Sequence, residues 1–327
     1  GGRIPRARAE GAGPAPLDPR LTTTVRDDDD DDDDEVIMTA PLLGVIGGSG
    51  LYDMPGLVDV ERRTVHTPWG EPSDDLVLGT LAGVRTAFLP RHGRGHRFTP
   101  SEVNYRANVG ALKQLGCRFV LSVSAVGSMK EEIAPGHLVV VDQFIDRTVG
   151  RARTFFGDGV VGHVPFADPT CDVFRPLVRD AARATGTTTH DGGTYICIEG
   201  PQFSTRAESQ LYRSWGVSVI GMTAIPEAKL VREAGMSFAL LALATDYDCW
   251  HESEESVSVE AVVAVLKQNV STAQRVVQGV AERLSREGAP QESPFARVLD
   301  GAVMTGRDVY GHEARRRLRA IAGDLIG

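Results

Sequence analysis

The apolar positions come in short, dense runs. "LLGVIGG" (42–48), "RTAFLP" (85–90), "FVLSVSAVG" (119–127), "HLVVVDQFID" (137–146), "GTYICIEGP" (193–201), "VSVIGMT" (217–223) and "SFALLALATDYD" (237–248) each read as a strand. Several are near-continuous in apolar residues, the pattern of strands covered on both faces. Between them the apolar period lengthens to that of helices at 100–115, 172–185, 204–215, 225–234 and, longest, 256–285. Strands alternating with helices predict a single α/β domain with a central, mixed but mostly parallel sheet flanked by helices.

The two ends break this rhythm. Residues 1–37 are rich in Gly, Pro and Arg and close on eight consecutive Asp; they hold five Arg against eleven acids, a balance of −6. Such a run repels itself and predicts a disordered acidic leader, with Met38 a plausible start for the body at 38–285. Residues 286–327 form a tail: the break "EGAPQESP", then "EARRRLRAIAGDLIG", which predicts a basic amphipathic helix. The sequence leaves open whether that helix packs on the body.

Charge and composition then narrow the function. The 327 residues carry a formal charge of −9, most of it in the leader, so the body lacks the basic face of a nucleic-acid binder. No apolar run is long enough to span a bilayer, and the start lacks a signal peptide's apolar core. The four cysteines (Cys117, Cys171, Cys197, Cys249) are scattered without a CxxC pair, which fits a reduced, cytoplasmic setting.

Candidate chemistry gathers at strand ends, where ligands collect in open α/β sheets. "GVIGGSGLY" (44–52) offers glycines, amides and the Ser49 hydroxyl to an anion, or is simply a glycine turn; it is neither a dinucleotide nor a triphosphate fingerprint. "LPRHGRGHRFTP" (89–100) crowds Arg91, Arg94, Arg97, His92 and His96 into one loop; arginine forks match phosphate oxygens, and the partners a metal would need are missing nearby. Ser124 and Ala125 end the third run ahead of a Gly127–Ser128 turn. In "YICIEGPQFSTRAES" (195–209) Ser204 or Thr205 can cap a helix with Glu208 in its early turns, but capping leaves Phe203 unexplained. Finally, "ATDYDCW" places Asp246 and Asp248 two apart. In extended chain they project to one face, where close carboxylates can push one another toward the protonated form; a helix cap or solvated turn is the plainer alternative.

Six blocks in order, "IGGSGLYD", "RHGRGHRFTPSEVNYRANVGALKQLG", "EEIAPGHLVVVDQFIDRT", "EGPQFSTRAES", "GMTAIPEAKLVREAG" and "ATDYDCW", resemble the trimeric branch of the purine nucleoside phosphorylase superfamily, most of all its 5′-methylthioadenosine-cleaving members, over roughly 42–283. The resemblance implies phosphorolysis of methylthioadenosine to adenine and 5-methylthioribose 1-phosphate, with no metal or organic cofactor. It implies a phosphate site of Ser49, Arg91, His92, Ser124, Ala125 and Thr223, Met222 against the ribose, and Phe203 and Ser204 beside the purine. Asp246 would be the acid toward purine N7, with Asp248 facing the 6-amino group. Relatives that prefer 6-oxopurines carry Asn where Asp246 stands, so adenine is expected over hypoxanthine or guanine. Val259, Val262 and Val263, spaced i, i+3, i+4, with His96, would line the 5′-methylthio pocket, and His163 would reach a neighbouring subunit's site in a homotrimer. A 6-oxopurine or methylthioinosine phosphorylase, a hydrolytic nucleosidase and a nucleoside sensor are the rival readings.

Overall fold

The computed structural model describes residues 42–48, 50–51, 53–251, 259–288 and 292–323, with backbone alone for 259–264 and 266–268. Its strands are β1 (Leu43–Gly47), β2 (Val58–Arg63), β3 (Leu76–Leu81), β4 (Val84–Pro90), β5 (Phe119–Ser128), β6 (Leu138–Val141), β7 (Gln143–Arg147), β8 (Thr189–Asp191), β9 (Thr194–Ile198), β10 (Val219–Gly221) and β11 (Ser237–Asp246). The helices are α1 (Tyr105–Gln114), α2 (Phe174–Ala184), α3 (Arg206–Ser214), α4 (Ala224–Glu233), α5 (Val259–Glu287) and α6 (His312–Ala322). Residues 1–37 and the acidic-leader reading lie outside the described residues.

All eleven described strands join one mixed sheet. Its spine is β5, which pairs in parallel with β1 on one side and β11 on the other, and whose far end pairs antiparallel with β10. Burial on both faces explains the continuous apolar runs. Val45, Leu121 and Leu241 point to a core closed by α2 and α5. Ile46, Val120 and Leu240 point to one closed by α1, α4 and α6. The basic tail helix therefore packs on the body: Ala314, Leu318 and Ile321 are buried while its arginines flank them.

Some expectations shift. The run 137–146 breaks at Asp142 into β6 and β7, which pair with different partners. Three strands escaped the apolar pattern: β2, which is largely exposed, β3, and the three-residue β8. Among the described residues no helix is long and apolar enough to cross a membrane.

Candidate active site

The carboxyl ends of β1, β4, β5, β9, β10 and β11 surround one cavity of about 290 Å3. Arg91, His92, His96, Ser124, Ala125, Phe203, Ser204, Met222, Thr223, Asp246 and Asp248 all line it, so residues up to 157 positions apart in the chain meet at one site. Ser49 lies outside the described residues, as do the side chains of Val259, Val262 and Val263. From the same α5, Val270 and Ala273 line the cavity instead. His163 is exposed and does not line its own chain's cavity; its amide bonds the Ala302 carbonyl at 2.9 Å.

The two aspartates converge by a route other than the one extended chain predicts. A register shift between Ala244 and Asp246 sets Asp246 against Gly127 of β5. The chain then leaves the strand, and Asp248 adopts a left-handed φ of 52° at the start of a 3-10 turn. Asp246 accepts from the Asp248 amide at 2.8 Å and from the Thr245 hydroxyl at 2.7 Å. Asp248 accepts from Ser204 Oγ at 2.8 and 2.9 Å. Ser204 is available for this because Thr205, not Ser204, caps α3, in a reciprocal capping box with Glu208. Gly127 makes the close approach possible: a Cβ there would lie 2.9 Å from Asp246 Oδ1 and 3.4 Å from Asp248 Cβ. Phe203, 46% exposed, stands at the mouth.

The other end of the cavity is deeper. Arg91 is only 2% exposed. Burial works against its charge, but the Glu227 carboxylate outweighs burial and holds the guanidinium protonated. Its neighbours Arg94 and Arg97 correct the reading of an arginine cluster on phosphate: Arg94 pairs with Asp74, Arg97 bonds the Ser73 carbonyl at 2.8 Å, and neither lines the cavity. They pin the loop instead. His92 Nδ1–H donates to the Phe98 carbonyl at 2.9 Å, which leaves Nε2 for a ligand, and its ring stacks on His96 at 4.2 Å. Burial first, then the Arg91 charge, lowers its pKa to about 4, so His92 is neutral at physiological pH. Ser124 Oγ and Thr223 Oγ1 face each other at 3.4 Å.

Three side chains that the sequence reading gave no role organise these groups. Glu227 and Ser122, both fully buried, bind the far side of Arg91. Arg151 donates to the carbonyls of Met222, Ile225 and Glu199 at 2.5, 2.9 and 2.6 Å, tying the β9 and β10 ends together. Their partners are distant in sequence, so only the fold reveals them.

Over residues 42–282 the chain matches the model of the phosphorylase superfamily. It is 57% identical over 286 residues to the S-methyl-5′-thioadenosine phosphorylase of Geobacter sulfurreducens, covering 87% of this chain and 99% of that protein. The enzyme of the same name from Cereibacter sphaeroides is 52% identical over 285 residues, 87% and 98% of the two chains. The chain belongs to the S-methyl-5′-thioadenosine phosphorylase family.

Solved structures agree. A methylthioadenosine phosphorylase from an antarctic soil metagenomic library superposes with a TM-score of 0.82 at 47% identity, over 86% of this phosphorylase and 99% of that chain. A methylthioadenosine phosphorylase from Schistosoma mansoni in complex with adenine gives 0.75 at 38% identity, over 81% and 98%. This phosphorylase therefore carries the family's sheet, with its polar groups sorted to two ends of one cavity: carboxylates at one, an arginine, a neutral histidine and hydroxyls at the other.

Proposed function

We infer that this phosphorylase cleaves 5′-methylthioadenosine with inorganic phosphate, releasing adenine and 5-methylthio-α-D-ribose 1-phosphate. The observation that carries the reading is one cavity lined by two carboxylates together with an arginine, a histidine and hydroxyls, in a chain 57% identical to an S-methyl-5′-thioadenosine phosphorylase.

The mechanism follows from that lining. The purine lies between Phe203 and the Asp246–Asp248 pair, with the Asp248 carboxylate accepting from the 6-amino group; an ionised carboxylate has no donor for a 6-oxo group. Asp246, carrying a proton, gives it to N7 as the N9–C1′ bond breaks, so the electron pair leaves on a neutral base. The ribosyl group takes on oxocarbenium character. A phosphate oxygen forms the new bond to C1′ from the opposite face, with inversion; Arg91, Ser49, Ser124, Thr223 and the Ala125 amide donate to the phosphate, and the unprotonated Nε2 of neutral His92 accepts from its P–OH. Fixed donors orient the nucleophile and stabilise its charge together. Met222 lies along the ribose. The 5′-methylthio group lies toward α5, where Val270 and Ala273 line the cavity, with His96 and the Val259–Val263 stripe. The exposed His163 serves a neighbouring copy's cavity in a homotrimer, and the cytoplasm is the setting.

The test is purine release from methylthioadenosine with and without phosphate, beside methylthioinosine and inosine. Adenine released only with phosphate is expected. Release without phosphate makes the protein a nucleosidase, and a preference for methylthioinosine overturns the account of Asp246 and Asp248.

A further inference from the structure

The Arg91 guanidinium has five N–H donors, and the protein itself takes four. Nε–H donates to Glu227 Oε1 at 2.5 Å. The two Nη2 hydrogens go to Glu227 Oε2 at 3.1 Å and Ser122 Oγ at 2.7 Å, with the Ile46 carbonyl at 3.4 Å alongside. One Nη1 hydrogen goes to the Val123 carbonyl at 3.0 Å. Ser122 Oγ then donates to Glu227 Oε2 at 2.8 Å, which closes the ring. Only the second Nη1–H has no acceptor among the described residues, and Arg91 lines the cavity. The bidentate fork that arginine usually turns toward phosphate is turned away from it, into a carboxylate that is 0% exposed.

We propose that Glu227 is a positioning residue for phosphate, clamping the Arg91 fork so that a single Nη1–H is aimed at the anion. Glu227 does not touch substrate. It reaches Arg91 from the first turn of α4, across the sheet from the end of β4. An arginine on a free side chain has many rotamers to lose on gripping a ligand; held on four sides, Arg91 has already lost them. Its charge is also cancelled in place, so the phosphate end selects by the direction of its donors more than by net charge. The inference rests on the phosphorolysis reading above.

Initial rates with methylthioadenosine and phosphate varied independently test it, for wild type, Glu227→Gln and Glu227→Asp, each checked for folding by its melting curve. Glu227→Gln keeps the shape but loses the charge and one acceptor. Its phosphate KM should rise on the order of 10- to 100-fold, while the methylthioadenosine KM stays within about twofold. Glu227→Asp, one methylene short, should fall between the two. An unchanged phosphate KM, or both KM values rising together, would overturn the proposal. Should Glu227→Gln fail to fold, Ser122→Ala removes one leg of the ring, and a phosphate KM unmoved in that variant overturns it equally. A wild type that needs no phosphate sinks the phosphorolysis reading itself, a result read before any variant is compared.

Discussion

At the scale of single residues, the site depends on what is absent at Gly127. Its missing Cβ is the space into which Asp246 and Asp248 turn. Gly127→Ala should therefore resemble Asp246→Asn in effect, each lowering turnover of methylthioadenosine by roughly 10²- to 10⁴-fold, the worth of a positioned acid. Wild-type rates in Asp246→Asn would mean that another group protonates the purine. Wild-type rates in Gly127→Ala would mean that the strand shifts to make room. The aspartate pair was legible as two carboxylates at a strand end. Its geometry was not, because alternation along an extended chain says nothing about a bulge or a left-handed residue. The arginine loop was legible as basic, but composition could not separate Arg91, which lines the cavity, from Arg94 and Arg97, which anchor the loop on Asp74 and Ser73. Glu227 was invisible as a partner, since a hydrogen-bonded pair 136 positions apart leaves no local pattern.

At the scale of elements, long apolar strands announced themselves; exposed β2 and three-residue β8 did not, nor did buried β3, whose apolar run stops after Leu78, at Gly79 and Thr80. β5 and β11 are almost wholly buried and stand out as apolar blocks, whereas β2 presents Val58, Asp59, Val60 and Glu61 with little preference for either face. Helix α4 adds a coupling that no pattern announced. Its last residue, Glu233, accepts from the Phe155 amide and the Thr154 hydroxyl, both at 2.7 Å, and so fastens the 148–156 segment to the body. Burial drives the Glu233 pKa up to about 7, against the partial relief of those two bonds. The folded state thus holds this proton more tightly than the unfolded chain, where an ordinary glutamate titrates near 4.5. The resulting stability is full below that ordinary value and is lost as pH rises through about 7. Denaturant unfolding at pH 5 and pH 8 should show wild type losing roughly 3 kcal/mol relative to Glu233→Gln across that interval. Parallel pH profiles for the two proteins would mean that Glu233 stays charged in the fold.

For the whole molecule, the Arg91–Glu227 pairing has a consequence in the physics of approach. A pocket that concentrates anions from a distance does so with an uncompensated positive field, and salt weakens that field. Here the buried cation at the anion end already has its counter-charge, and His92 beside it is neutral. Phosphate should then arrive by ordinary diffusion and be recognised only on contact. Its kcat/KM should change by less than about twofold between 20 and 300 mM of an indifferent salt. A steep fall with ionic strength would instead reveal a long-range attraction that the paired charges at this end of the cavity do not supply.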